Sequence, residues 1–472
     1  MRKPIWENAL LAAMLILFSA GLIIKGYVGE EEQRSIALQV LLAGIPVGVL
    51  LMFFRSLDQR LPVLVKKGLS FFRQPWLRRS DPALLFVLCG IVLFDLLYIG
   101  VFRKLVDDEN EFINAIRIFV EQGRHYFLVH YSEITWLGPQ HPPLPVFLIG
   151  YIVKILGTDV YFPARITAVL LGLGIAVFTY HIARQLYDRT IARWAVILLF
   201  AIRYFNLAQV TSNNDIFVTF FFTLTVLLVL KLKATEQLPV FSRMGWAVAA
   251  GISLGLGLLS KYTMFLAYAM LLPLIFRPFA ENTATDHFFS RFWSGLRSNW
   301  GVLLVLVITS LAVFYIWVGY MIRSGLITLH AGQLMYYLGA DVDPYGDWKP
   351  KVIENGYFSS WRLNFLLKAI FYGIPSGIGT YILPLLGLGI WAFIRQQKER
   401  KKVNSNGFIR YWLAIVFIPM LIALPVHRYF MPAFPALAIL MAAGLHHFYK
   451  QPYRILILAL FLSYVTLVVY MS

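Results

Sequence analysis

The chain has 472 residues, of which 59% are hydrophobic and only 14% charged, a balance too apolar for a soluble protein of this size. Its formal charge of +18 would suit a nucleic-acid partner, but the 42 Lys and Arg residues cluster in short loops between apolar runs. That is the distribution of cytoplasmic membrane loops, and it excludes nucleic acid. Cys89, the single cysteine, excludes an internal disulfide and a thiolate metal centre; lying inside an apolar run, it reads as a packing residue.

From the N-terminus, Met1-Arg2-Lys3 precedes an apolar stretch from Ile5 to Ile24, longer than a signal-peptide core of roughly 7 to 15 residues and so read as a retained span. A second span covers about 36 to 54. The basic segment that follows, with Arg55, Arg60, Lys66, Lys67, Arg73, Arg78 and Arg79, belongs in the cytoplasm by the positive-inside rule. The next span, Pro82 to Phe102, then delivers Asp107-Asp108-Glu109 to the outer side. Carboxylates at a lipid-facing helix centre cost roughly 2.5 to 3.5 kcal/mol each, so these three belong where water or a polar partner reaches them.

In the outer loop, residues 111 to 121 place Phe112, Ile113, Ile116, Phe119 and Val120 on one helical face, opposite Glu111, Asn114, Arg117 and Glu121. This pattern predicts an amphipathic helix lying on the bilayer. The run from Leu144 to Leu156 is apolar but of re-entrant or interfacial length. If it does not cross, Arg184/Arg189/Arg193, Lys231/Lys233, Arg277/Arg291/Arg297, the Arg395-to-Lys402 cluster and Lys450/Arg454 all fall inside; if it crosses, all fall outside. It is therefore read as not crossing.

Further spans are expected at about 160 to 183, 191 to 207, 215 to 231, 245 to 260, 262 to 276, 300 to 322, 377 to 394, 409 to 424, 430 to 448 and 455 to 471, with Ser260-Lys261 interrupting one long apolar run. The fold class is an all-α polytopic membrane protein of about 13 spans with outer juxtamembrane helices. Residues 1–80 hold two extra N-terminal spans and a basic loop. Residues 81–322 form the membrane core with a first outer loop at 103–159, 323–376 a large outer loop, and 377–472 the C-terminal spans. Gly251, Gly255 and Gly257 have small-residue spacing for helix packing. No internal repeat or soluble domain is visible.

This topology gathers Asp107, Asp108, Glu109, His141, Asp215, Lys261, His427 and Arg428 at one outer surface. Carboxylates with cations there suit a reaction in which a hydroxyl loses a proton while a lipid-borne phosphate leaves. Each residue also has a plainer reading. Asp108 and Glu109 favour a helix N-terminus, Asp215 follows the capping sequence Thr211-Ser212-Asn213-Asn214, and His141-Pro142-Pro143 suits the start of a helix. Lys261 and Arg428 sit at span ends, where long cations snorkel.

The order of Asp108-Glu109, an amphipathic helix ending at Gly123, His141-Pro142-Pro143-Leu144, Gly157, Arg165, Asp215, Gly257-Leu258-Leu259-Ser260-Lys261 and His427-Arg428-Tyr429 resembles the C-type (GT-C) glycosyltransferases. The branch it is most similar to contains the protein O-mannosyltransferases and the lipid A aminoarabinose transferases. The resemblance implies an inverting, extracytoplasmic transfer in a cell membrane, from a polyprenyl-phosphate monosaccharide to a protein, lipid or glycan acceptor, with no cofactor and no metal. By the same resemblance Asp108 is the base with Glu109 beside it, and Asp215 supports the base or the acceptor. Lys261 and Arg428, with His141 less firmly, face the donor phosphate. A transporter or flippase of a lipid-linked sugar is the alternative. Such proteins usually place charge near the bilayer midplane and repeat their halves, whereas these charges gather at one boundary.

Overall fold

The computed structural model describes residues 81–101, 107–134, 141–275, 288–328, 330–331, 366–367, 369–379, 382–396, 403–423 and 427–449, and these are mostly helical, with no strand among them. The two expected N-terminal spans, the last expected span and most of the large outer segment lie outside them. In chain order the helices are α1 (Pro82–Val101), α2 (Asp107–Val129), α3 (Leu144–Leu156), α4 (Tyr161–Leu186), α5 (Arg189–Ala201), α6 (Arg203–Val210), α7 (Asn214–Ala234) and α8 (Val240–Leu258). A 3₁₀ segment, Tyr262–Leu271, leads into α9 (Leu272–Ile275), followed by α10 (Phe288–Ser324), α11 (Ile374–Ile378), α12 (Leu383–Gln396) and α13 (Val403–Ala423). A second 3₁₀ segment, His427–Ala433, precedes α14 (Phe434–Tyr449).

Among the described residues, five helical stretches are long and apolar enough to cross a bilayer: Tyr161–Leu186, Asn214–Ala234, Val240–Leu258, Phe292–Ser324 and Arg428–His447. The stretch expected to cross at 191 to 207 is a pair of helices, α5 and α6, bent by 73° and apolar enough to form one broken span. Ile202 adopts an extended conformation (φ −69°, ψ 117°) at the break, and the Asn206 side chain donates to the Phe200 carbonyl there at 3.3 Å. That bond satisfies a carbonyl left without its helical donor.

Two sets of polar contacts mark opposite ends of the bundle. At the start of α1, Asp81 receives Arg193 (2.7 and 2.9 Å), Arg189 (2.8 Å) and the Tyr180 hydroxyl (2.8 Å). Twenty residues of α1 then span about 30 Å, the thickness of a hydrocarbon core, before Glu109 meets Arg165 near the start of α4. The start of α1 is thus tied to the C-terminal part of α4 and to α5, and the start of α2 to the N-terminal part of α4. Lys231 and Lys233 close α7 at the end remote from Asp215, so the basic loops and the candidate site face opposite boundaries.

Close approach is set by small residues. A Cβ on Gly251 would lie 2.5 Å from the Leu306 carbonyl, and one on Gly255 would lie 2.5 Å from Val313 Cβ, so α8 and α10 pack nearly backbone to backbone. Cys89, expected inside, is exposed on the outer side of α1. Leu84, Val87, Asp95 and Ile99 form the buried stripe of that helix, and residue 89 falls off it.

Helix α3 has the bounds expected of the non-crossing run, and its 13 residues reach about 20 Å, short of a bilayer core. It ends at Gly157, whose φ of 63° is the left-handed conformation of a helix C-terminus. The apolar face of α2 was expected on lipid. Instead Phe112, Ile113, Ile116 and Phe119 are buried in protein, and Phe119 packs against Phe147 and Tyr151 of α3. Gly123 (φ 84°, ψ 170°) interrupts α2 in a conformation open only to glycine.

Candidate active site

The site is assembled where α2, α7 and the break after α8 meet. Asp107, Asp108 and Glu109 open α2, where carboxylates complement the positive end of the helix dipole. Glu109 points inward and is fully used. Arg165 Nε and Nη2 donate to its two oxygens at 2.7 Å each, and the Ser212 backbone N–H donates to Oε1 at 3.1 Å. Both side chains are 1% exposed, so the bidentate pair is shielded from water and from salt. It fixes the position of Asp108, the preceding residue, relative to α4 and the turn before α7.

That turn resolves the two readings of Asp215. The capping residue of α7 is Asn213, whose Oδ1 accepts from the backbone N–H of Asp215 (3.0 Å) and Ile216 (3.2 Å). Asp215 is left for tertiary contacts. Its Oδ1 accepts from Lys261 Nζ at 2.5 Å, and the Tyr204 hydroxyl donates to the same carboxylate. Beside it, the Asn214 carboxamide and the Ser212 hydroxyl are buried with no hydrogen-bond partner among the described residues.

Lys261 is presented by the interruption that the sequence predicts. Helix α8 closes with Ser260 and Lys261 both donating to the Gly257 carbonyl at 3.0 Å, and Lys261 itself is extended (φ −165°, ψ 141°). The carbonyl of Leu259 accepts from the first backbone N–H of α3, Leu144, at 3.1 Å. One bond thereby satisfies an orphan donor of α3 and ties the His141-Pro142-Pro143 segment to the Lys261 break. Lys261 Nζ lies 4.4 Å from the centre of the Tyr429 ring, and Arg428 Cζ lies 5.4 Å from that same centre. The late His427–Ala433 segment therefore brings a second cation to the same ring.

His141 reaches the same neighbourhood. It is buried, and its backbone carbonyl accepts from the Tyr131 hydroxyl. Burial, reinforced by the nearby Lys261 and His330, holds its imidazole well below the usual histidine range. This favours the neutral imidazole, which keeps one ring N–H able to donate.

The structure thus brings together Glu109, Asp215, Lys261, Arg428 and His141, and places Asp108 in the first turn of α2. Arg165, Ser212, Tyr204, Tyr429 and His330 complete the surroundings without having been singled out as site residues. For Arg165 a signal existed, since a cation in the apolar run 160 to 183 needs a buried partner. Tyr429 and Ser212 stood inside quoted motifs without a role of their own, and nothing in the sequence pointed to Tyr204 or His330.

Residues 140–317 match the family described as dolichyl-phosphate-mannose-protein mannosyltransferase. No curated protein matches the chain in sequence. Among solved structures, ArnT from Cupriavidus metallidurans bound to undecaprenyl phosphate aligns with a TM-score of 0.51 and 16% identity over 78% of this chain. The apo oligosaccharyltransferase of Archaeoglobus fulgidus aligns with a TM-score of 0.52 and 15% identity over 85%. The chain spans less than two thirds of either relative, covering 61% of the first and 56% of the second. At these identities the likeness establishes a shared fold.

Proposed function

Starting from the GT-C membrane fold that this chain carries, we propose that it is an integral membrane glycosyltransferase. It moves a monosaccharide from a polyprenyl-phosphate donor to an acceptor hydroxyl at the extracytoplasmic face of the cell membrane. The observation that carries this reading is the buried Asp215–Lys261 pair at 2.5 Å, set with Arg428 on the Tyr429 ring and joined through the α7 turn to the acidic start of α2.

The contacts of Glu109, Asp215 and Lys261 support the following division of labour, in which Asp108 takes the base role that the resemblance implies. Glu109 is a positioning residue, because Arg165 and the Ser212 N–H occupy its oxygens. Asp108 is the catalytic base. It takes the proton of the acceptor hydroxyl as that oxygen bonds to the anomeric carbon, and the bond from that carbon to the phosphate oxygen breaks with inversion. The leaving phosphate keeps its negative charge and needs cations more than a proton. Lys261 has three N–H donors and Asp215 uses one, leaving two for phosphate oxygens, with Arg428 contributing from beside the same Tyr429 ring. Asp215 thus aims Lys261 and balances its charge before the donor arrives. The family matched over residues 140–317 is named for dolichyl-phosphate mannose, which favours a hexosyl over a pentosyl donor.

The test is a transfer assay in membranes containing the full chain, with a panel of radiolabelled polyprenyl-phosphate sugars. Label entering a protein, lipid or glycan fraction supports the transferase and names the donor. Label that crosses the bilayer while remaining on its polyprenyl carrier supports a flippase instead.

A further inference from the structure

His330 stands just beyond the end of α10 and is buried, with 4% of its surface exposed. Its ring meets Trp317 edge-on at 5.9 Å and Tyr262 edge-on at 5.6 Å, and lies 6.4 Å from Tyr131. The hydrogen bonds around Tyr262 determine which ring nitrogen carries the proton. Trp317 Nε1–H can only donate, and it lies 3.2 Å from the Tyr262 oxygen, which therefore accepts there. The single phenolic hydrogen then has two destinations, His330 Nδ1 at 2.7 Å and Met321 sulfur at 3.6 Å. An imidazole nitrogen is the stronger acceptor and the closer one, so it receives the bond. The ring hydrogen consequently sits on Nε2.

That Nε2–H has no hydrogen-bond partner among the described residues, although it is buried. Burial lowers the His330 pKa to about 4, so the ring is a neutral donor at physiological pH. Its surroundings belong to the candidate site. Tyr262 directly follows Lys261, and Tyr131 donates to the His141 carbonyl. His330 is also near enough to His141 to act on it electrostatically.

We propose that His330 recognises the sugar of the polyprenyl-phosphate donor, with Nε2–H donating to a sugar hydroxyl. A buried neutral donor suits a sugar, which offers hydroxyl oxygens and carries no charge. The phosphate is served by the cations Lys261 and Arg428 on Tyr429. A site built to pair a particular hydroxyl also discriminates against donors that lack it. This inference rests on the transferase reading above, and its test separates the two.

The purified full chain is titrated with undecaprenyl phosphate and with undecaprenyl-phosphate mannose, glucose and aminoarabinose, for wild type, His330→Phe and His330→Gln. Wild type is expected to bind one sugar-bearing lipid more tightly than the bare lipid phosphate. His330→Phe should lower that affinity about tenfold, the size of one hydrogen bond, with bare undecaprenyl phosphate binding unchanged. His330→Gln, whose amide keeps an N–H near the Nε2 position, should recover part of the loss. The inference is overturned if His330→Phe binds every lipid as wild type does, if it loses the bare lipid phosphate equally, or if wild type shows no sugar preference. A wild type that binds none of the four lipids overturns the transferase reading itself, and the inference with it.

Discussion

Lys261 donates to Asp215 across 2.5 Å while its ammonium rests on the Tyr429 ring, so two residues 46 positions apart act as one buried unit. Removing one partner leaves a charge without compensation in a site where both side chains are under 10% exposed.

Lys261→Met should therefore destabilise the protein by about 3 to 5 kcal/mol, and Asp215→Asn by a comparable amount. The double variant Lys261→Met/Asp215→Asn should recover much of that stability while remaining inactive. Unfolding in detergent reads the first quantity, and donor turnover reads the second. Additive losses in the double variant would mean that the pair is not coupled.

Glu109 and Asp108, adjacent in sequence, should behave differently. Glu109→Gln loses the bidentate bond to Arg165 and leaves the guanidinium buried, so a drop in melting temperature is expected together with lower activity. Glu109→Gln/Arg165→Met should be more stable than Glu109→Gln alone. Equal stability of wild type and Glu109→Gln would remove the positioning role.

His330 also gives a pH dependence with a definite sign. Its pKa is lowered from 6.5 to about 4 by burial. Above pH 6.5 the ring is neutral whether the chain is folded or unfolded. Between about 6.5 and 4 the unfolded chain takes up a proton that the folded chain refuses, so stability falls as pH falls, by about 3 kcal/mol over that window. His330→Phe should flatten the decline. His141, shifted in the same direction, retains its own share. An unchanged slope in His330→Phe would place the titrating group elsewhere.

Several parts of this architecture were legible because one residue or pattern decides them. Gly123 stops the regular helix where the amphipathic pattern ends, and its φ of 84° shows why only glycine serves there. The Ser260-Lys261 interruption and the short run 144–156 were readable from apolar length alone. The bend at Ile202 was not, since the residues around it remain apolar enough for a span and the decisive bond, Asn206 to Phe200, is invisible to hydropathy. Asp215 looked like a cap because Asn213, the true cap, stands two positions earlier. The contact of Tyr429, and His330 altogether, escaped the sequence for a different reason. Their roles come from contacts with Lys261 and Tyr262 made across 168 and 68 positions, which no local pattern encodes.

The central claim is that Asp108 deprotonates the acceptor while polyprenyl phosphate departs. Its most direct test is single-turnover transfer from a labelled polyprenyl-phosphate sugar by purified wild type and Asp108→Asn, each checked for intact folding by thermal unfolding. A fall of roughly 10²- to 10⁴-fold in the transfer rate, with melting temperature and donor affinity unchanged, is the predicted result. Near-normal transfer by a properly folded Asp108→Asn would contradict it.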